Sequence, residues 1–171
     1  PGVPGVINWQ VAAAADVIED RAAALGVRLS RQDQEWRVTA RDGALCFRSD
    51  KGVLQLPMPA LAGLHQVQNA GLALACLQNL LGFSVSMANM AAGLSKVHWP
   101  GRLQRLRQGP LYDQLVPDGE LWLDSGHNPG AGEALAQTMQ DWQARDETPR
   151  RLHLIMGMLR NKDAAGFLAP F

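Results

Sequence analysis

Leu121-Trp122-Leu123-Asp124-Ser125-Gly126-His127-Asn128-Pro129 is the stretch whose reading decides the fold. An apolar burst ends on a carboxylate, a short turn carries an imidazole, and Asn128 followed by Pro129 opens a helix. Asn is a favoured N-cap, and Pro at the first helical position gives up an N–H that a helix leaves unpaired anyway. Strand, turn and helix therefore follow in order, with the polar groups at the carboxyl end of the strand. In open α/β sheets ligands gather at that end, where the helix N-terminus offers unpaired N–H groups and the positive end of its dipole. Such a corner suits ribose hydroxyls and phosphates. A capped strand-to-helix turn is also simply how α/β proteins are built, so the corner by itself leaves both readings open.

Working outward, Leu135, Met139 and Trp142 fall at helical spacing after Gly130-Ala131-Gly132, which predicts a helix packed on a sheet. Leu152-His153-Leu154-Ile155-Met156-Gly157-Met158 then reads as a second apolar strand of a parallel sheet buried on both faces, with a right-handed crossover as the default connection. Before the corner, Leu103 to Leu106 reads as a strand and Gly109 to Glu120 as a loop. Val97-His98-Trp99-Pro100-Gly101-Arg102 breaks the periodicity with adjacent Pro and Gly, as a linker or domain boundary does. Arg102 follows that hinge directly. An arginine there is ordinarily a solvated charge, but its planar fork also suits it to clamp an anion such as phosphate.

The first half begins with a strand at Gly5-Val6-Ile7 and an alanine-rich helix from Val11 to Leu25, with Gly26 as its stop. Glu35–Thr39, Ala44–Arg48 and Val53–Leu56 are β-prone runs separated by Asp42-Gly43 and Asp50-Lys51-Gly52, and so predict a small antiparallel meander. Trp36 and Phe47 form its packed face. After Pro57 and Pro59 a helix is expected from about Gln66 to Leu81, burying Val67, Ala70, Leu74, Leu77 and Leu81 along one stripe. Asn69 lies on a different line with Gln66 and Ala73, where a small neighbour leaves room for a ligand; spacing alone favours a solvated amide. Met87, Met90, Ala91 and Leu94 make a further helical stripe expected to pack in the core, with Gly93 marking a close approach.

Composition narrows the function. The 171 residues are 47% hydrophobic, enough to build a core, and sixteen basic side chains cancel sixteen acidic ones. No global field is left to hold nucleic acid or an anionic membrane, although Arg102, Arg105 and Arg107 could form a local patch. Cys46 and Cys76 lack metal or disulfide spacing, and no apolar run approaches the ~20 residues that cross a bilayer. A cytoplasmic protein is expected. The chain starts Pro1-Gly2-Val3 without a methionine and stops as a new helix begins, which suggests a piece of a larger protein. Dinucleotide fingerprint, P-loop, nucleophile elbow and zinc spacing are all absent from it.

Four segments, in order and sensibly spaced, carry a resemblance to a known family. They are His65-Gln66-x-x-Asn69-Ala70, Trp99-Pro100-Gly101-Arg102-Leu103-Gln104, Leu123-Asp124-x-x-His127-Asn128-Pro129 and Met156-Gly157-Met158-Leu159-Arg160-Asn161-Lys162-Asp163. Together they resemble the folylpolyglutamate synthase/dihydrofolate synthase family of the Mur ligase superfamily. Ser125-Gly126 stands where Gly-Ala is commoner, and the Tyr112-to-Glu120 loop reads as an insertion. The resemblance implies an α/β fold: residues 1–102 would be the end of a Mur-ligase-type P-loop ATPase domain carrying the meander, and residues 103–171 the start of a Rossmann-like C-terminal glutamate-ligase domain.

The resemblance further implies ATP-dependent ligation of L-glutamate to dihydropteroate or to a folate polyglutamate through an acyl phosphate, performed by a monomeric full-length enzyme. Asn69 and Arg102 would contact the nucleotide, Arg102 on the phosphate side, and Asp124 would reach ATP from the C-terminal domain. His127 would lie near the phosphoryl and glutamate end. Domain closure would exclude water from the acyl phosphate. Magnesium ligands, P-loop and pterin pocket would lie upstream of Pro1, so no metal site is expected in this chain, which alone should be inactive. A cell-wall Mur-type ligase and a non-catalytic nucleotide-binding module stand as the alternatives.

Overall fold

The computed structural model describes residues 2–148 and 150–171. The chain divides into two compact units, residues 1–60 with 65–97 and residues 61–64 with 98–171.

The first unit opens with strand β1 (Gly5–Ile7), helix α1 (Ala12–Ala24) and strand β2 (Leu29–Arg31). β1 and β2 pair in parallel, Gly5 opposite Leu29 and Ile7 opposite Arg31, with α1 as the crossover that parallel pairing requires. Gly26, at φ +62, ends the helix as expected. Along α1 Ala22 is buried and Ala14, Ala15 and Ile18 are half-buried, whereas the flanking Val11 and Leu25 face solvent. β2 itself is a strand that hydrophobic alternation does not announce.

β3 (Trp36–Arg41), β4 (Ala44–Ser49) and β5 (Gly52–Pro57) form the expected antiparallel meander in the order β3-β4-β5. Asp42 and Gly43 both take positive φ, +51 and +74, as a tight hairpin matched to strand twist demands. The period of two puts Trp36, Val38, Leu45, Phe47 and Leu56 on one face, and α2 (His65–Asn79) covers it with Val67, Ala70, Leu74 and Ala75. Gly71 is required here. A Cβ on it would stand 2.7 Å from the Val38 Cβ and 3.0 Å from the Trp36 ring. α2 ends at Asn79, short of the expected Leu81, which is 80% exposed. α3 (Met87–Lys96), capped by Ser86, lays Met90, Ala91 and Leu94 against the core edge, but none of its residues is buried and Met87 is exposed. Gly93 meets nothing within 4 Å, so the expected close approach is absent.

In the second unit β6 (Gln104–Leu106) and β7 (Leu121–Leu123) pair antiparallel, Gln104 opposite Leu123. Between them lie a loop and a single 3-10 turn at Tyr112–Gln114. α4 (Pro129–Arg145) follows the corner and α5 (Ala164–Leu168) packs on it. The strand expected at Leu152–Met158 does not form: residues 151–159 carry no regular structure, and Ile155 is fully exposed. A strand buried on both faces needs a ladder partner and two covering layers. Among the described residues β7 pairs only with β6, so the expected strand-helix-strand crossover is not built here. Among the described residues no helix is long and apolar enough to cross a membrane.

Candidate nucleotide corner

The corner forms from local rules. Asn128 caps α4, its Oδ1 accepting from the Ala131 N–H at 2.9 Å, and Pro129 takes the first helical position. Gly132 is buried against Phe167 of α5, whose backbone carbonyl a Cβ there would strike. Gly126 lies under the same Phe167 ring, 3.3 Å from where its Cβ would stand. Asp163 caps α5 through the Gly166 N–H at 2.8 Å. The tail segment Gly157–Asp163 thus leads into a helix that packs directly under the Asp124–Pro129 turn.

Trp99-Pro100-Gly101-Arg102 folds back as a turn, the Arg102 N–H donating to the Trp99 carbonyl at 3.3 Å. Pro stands at its second position and Gly, with φ +70, at its third, the residues a type II turn calls for. Leu103 then adopts φ +42, a left-handed conformation that costs a branched residue about 1–2 kcal/mol. Two contacts hold it there. Its side chain is buried, and its N–H donates to Asp124 Oδ2 at 2.7 Å. Asp124 Oδ1 accepts from the Gly126 N–H at 2.6 Å, and the Ser125 N–H donates to the Gly101 carbonyl at 2.9 Å. Gln104 Oε1 accepts from the Gly101 N–H at 3.0 Å.

The structure therefore brings three of the four sequence-expected site residues, Arg102, Asp124 and His127, into one knot in the second unit. The Arg102 side chain is exposed and makes no hydrogen bond or ion pair among the described residues, whereas nearby Arg105 is bound to Glu120 at 2.7 Å. Glu120 feels burial, which pushes its pKa up, but hydrogen bonds from Trp122 and Arg150 and the charges of Arg105 and Arg150 outweigh it and hold the carboxyl below its ordinary value. Arg105 is thereby committed, whereas Arg102 keeps its capacity for an anion. His127 Nδ1 lies 3.0 Å from the Ser125 carbonyl. A carbonyl can only accept, so Nδ1 carries the proton of this bond and Nε2 is the ring nitrogen left for a further partner.

Asn69 lies in the first unit, exposed on α2, its Nδ2 donating to Gln66 Oε1 at 3.1 Å. Gln66 is buried, and its own Nε2 reaches His65 Nε2 at 2.9 Å. That chain restrains the Asn69 amide through its Nδ2. The sequence signals it through the i, i+3 spacing of Gln66 and Asn69, whereas nothing in the sequence marks the backbone donors that occupy Asp124.

Two grooves open elsewhere. One of about 540 Å³ is lined by Arg28, Arg48 and Lys51 among others, and one of about 620 Å³ by Arg105, Tyr112 and Arg150 among others. Neither contains Asn69, Arg102, Asp124 or His127. The significance of the corner rests on its chemistry. No group of three or more His, Cys, Asp or Glu among the described residues could hold a metal ion.

No protein-family model matches the chain. Among curated proteins, the dihydrofolate synthase/folylpolyglutamate synthase of Mycobacterium tuberculosis is 30% identical over 178 residues, covering 99% of this chain and 34% of that protein. The protein of the same name from Escherichia coli is 32% identical over 153 residues, covering 89% of this chain and 32% of its own length. The chain thus spans about a third of the length of the curated relatives it matches. Among solved structures, E. coli FolC in complex with DHPP and ADP superposes with a TM-score of 0.72 at 33% identity, over 91% of this chain and 33% of that one. M. tuberculosis folylpolyglutamate synthase complexed with ADP and AMPPCP gives a TM-score of 0.64 at 29% identity, over 79% and 30%. Similar in sequence along nearly its whole length and similar in fold, the chain belongs to the folylpolyglutamate synthase/dihydrofolate synthase family of the Mur ligase superfamily.

Proposed function

We propose that the complete protein joins L-glutamate to dihydropteroate or to a folate polyglutamate, using ATP to convert the acceptor carboxylate to an acyl phosphate that the glutamate amine then attacks. A carboxylate is a poor electrophile, and phosphorylation supplies the leaving group; the transfer itself needs positioning and charge neutralisation. The observation that carries the reading is Arg102, an exposed guanidinium without an acidic partner among the described residues, fixed on a hydrogen-bonded turn within a family motif. Relatives solved with ADP or AMPPCP support a nucleotide as the ligand.

In this reading Asn69 and Arg102 contact the nucleotide, Arg102 at its phosphates, and Asp124 serves the same site. His127 presents Nε2 toward the phosphoryl and glutamate end. Residues 1–102 are assigned to the end of the ATPase domain and residues 103–171 to the start of the glutamate-ligase domain. Magnesium enters as the counter-ion of ATP, its protein ligands supplied from outside this chain. The free thiols Cys46 and Cys76 suit a reducing compartment, and a cytoplasmic enzyme is part of the proposal. The 171 residues alone are expected to be inactive.

The test is glutamate-dependent ADP release by the full-length protein. Arg102→Ala should lower kcat/KM by about 100-fold, the scale of losing one preorganised charged donor. Unchanged turnover would move the assignment to a non-catalytic nucleotide-binding module. Dependence on a muropeptide acceptor instead of a folate would move it to a cell-wall ligase.

A further inference from the structure

We propose that Asp124 is a positioning residue, which accepts the Leu103 and Gly126 amide protons and so holds the Gly101-Arg102-Leu103 backbone in the form that presents the Arg102 guanidinium to an anionic phosphate. The inference rests on the reading of Arg102 as the phosphate contact and adds how that contact is aimed. Both carboxylate oxygens are occupied by backbone donors, at 2.7 and 2.6 Å, and neither bonds to a side chain among the described residues. These are lengths of charge-assisted hydrogen bonds. One of them restrains a leucine in a left-handed conformation that leucine does not choose by itself.

Every backbone neighbour of Arg102 is held. Its own N–H goes to Trp99, the Gly101 N–H to Gln104, the Gly101 carbonyl to Ser125 and the Leu103 N–H to Asp124. Of these links, only Asp124 joins the turn to the strand-to-helix corner through a charged side chain. Without it, Leu103 would relax toward negative φ, the chain direction through Arg102 would change, and a long side chain would lose its fixed starting vector. Arg102 and Asp124, 22 residues apart in sequence, thus form one functional unit in which the carboxylate acts through the arginine.

The experiment is a double-mutant cycle in the full-length protein, reading kcat and the KM for ATP of glutamate ligation in wild type, Arg102→Ala, Asp124→Ala and the double variant. Asp124→Ala is expected to lower kcat/KM by about tenfold or more, mainly through KM for ATP, and the double variant to lie within about twofold of Arg102→Ala. Additive losses in the double variant would overturn the positioning role and leave the phosphate reading of Arg102 intact. Normal kinetics in Arg102→Ala would overturn both. Asp124→Asn, which keeps the shape and one acceptor oxygen, should give an intermediate loss and carries the same cycle if Asp124→Ala does not fold. Amide exchange in this chain supplies the structural arm: the Leu103 and Gly126 protons should lose protection in Asp124→Ala or Asp124→Asn while the α4 amides keep theirs. Undiminished protection at Leu103 would overturn the inference.

Discussion

Two glycines in the first unit, Gly71 in α2 and Gly93 in α3, should respond to the same substitution with opposite signs. Replacing a helix-interior glycine by alanine removes backbone freedom from the unfolded chain and gains about 0.8–1 kcal/mol where the new methyl is accommodated. Gly93 is exposed and has nothing within 4 Å of its would-be Cβ, so Gly93→Ala should realise that gain in full. At Gly71 the methyl would come to 2.7 Å from the Val38 Cβ, far inside the 3.4–4 Å of ordinary contact. Val38 cannot swing away, because its Cβ is fixed to β3 and the side chain is 4% exposed. Overpacking costs about 1–3 kcal/mol, and a methyl this close to a fixed Cβ belongs in the upper part of that range, about 2–3, so Gly71→Ala should lose ~1–2 kcal/mol net of its propensity gain. At roughly 4–8 °C per kcal/mol for a domain of this size, the first unit should melt a few degrees higher in Gly93→Ala and about 4–16 °C lower in Gly71→Ala. In a Trp122→Phe, Trp142→Phe background, near-ultraviolet circular dichroism follows that unit through the stacked Trp36–Phe47 pair, centroids 6.0 Å apart. Equal stabilisation by both substitutions would refute the close packing of α2 on the meander.

Two further outcomes can be checked in the same chain. Asn128→Ala removes the α4 N-cap and should cost about 1 kcal/mol, read by denaturant unfolding together with faster exchange of the Ala131 amide. Glu35 is held below its ordinary value of 4.5 chiefly by its hydrogen bond from Arg31, against the opposing effect of burial. A carboxyl depressed in the native state contributes its stability in full above the unfolded-state value and loses it as pH falls through the native one. Melting temperature should therefore fall between about pH 5 and pH 3, and Glu35→Gln should flatten that part of the profile.

What was legible in the sequence followed local chemistry. Asp42-Gly43 announced a hairpin because few residues tolerate its two positive φ values, and Asn128-Pro129 announced a helix start because cap and first turn have distinctive requirements. β2 stayed hidden: a strand of three residues is too short for a period, and its partner β1 lies across a whole helix. Leu152–Met158 carries the composition of a buried strand, but composition cannot provide the ladder that makes one. Gly93 resembled a contact glycine since nothing local distinguishes it from Gly71; only the distance to the neighbouring element does. At the candidate corner, Asp124 and Arg102 could be named from the sequence. Their linkage could not, because it passes through the left-handed backbone of Leu103, a residue type that gives no warning of that conformation.

The linkage at the base of the β6–β7 ribbon also bears on how this protein can change. Asp124 and Gly101 close the ribbon at one end, three residue pairs hold it, and the 107–120 segment emerges at the other, on the order of 10 Å along the strands. Lengthening such a tip costs only about 0.6 kcal/mol per doubling of loop length, while the ladder screens the base from its conformation. Descendants of this sequence could therefore lengthen, shorten or replace the tip, and alter what it touches, without disturbing the arginine at the root.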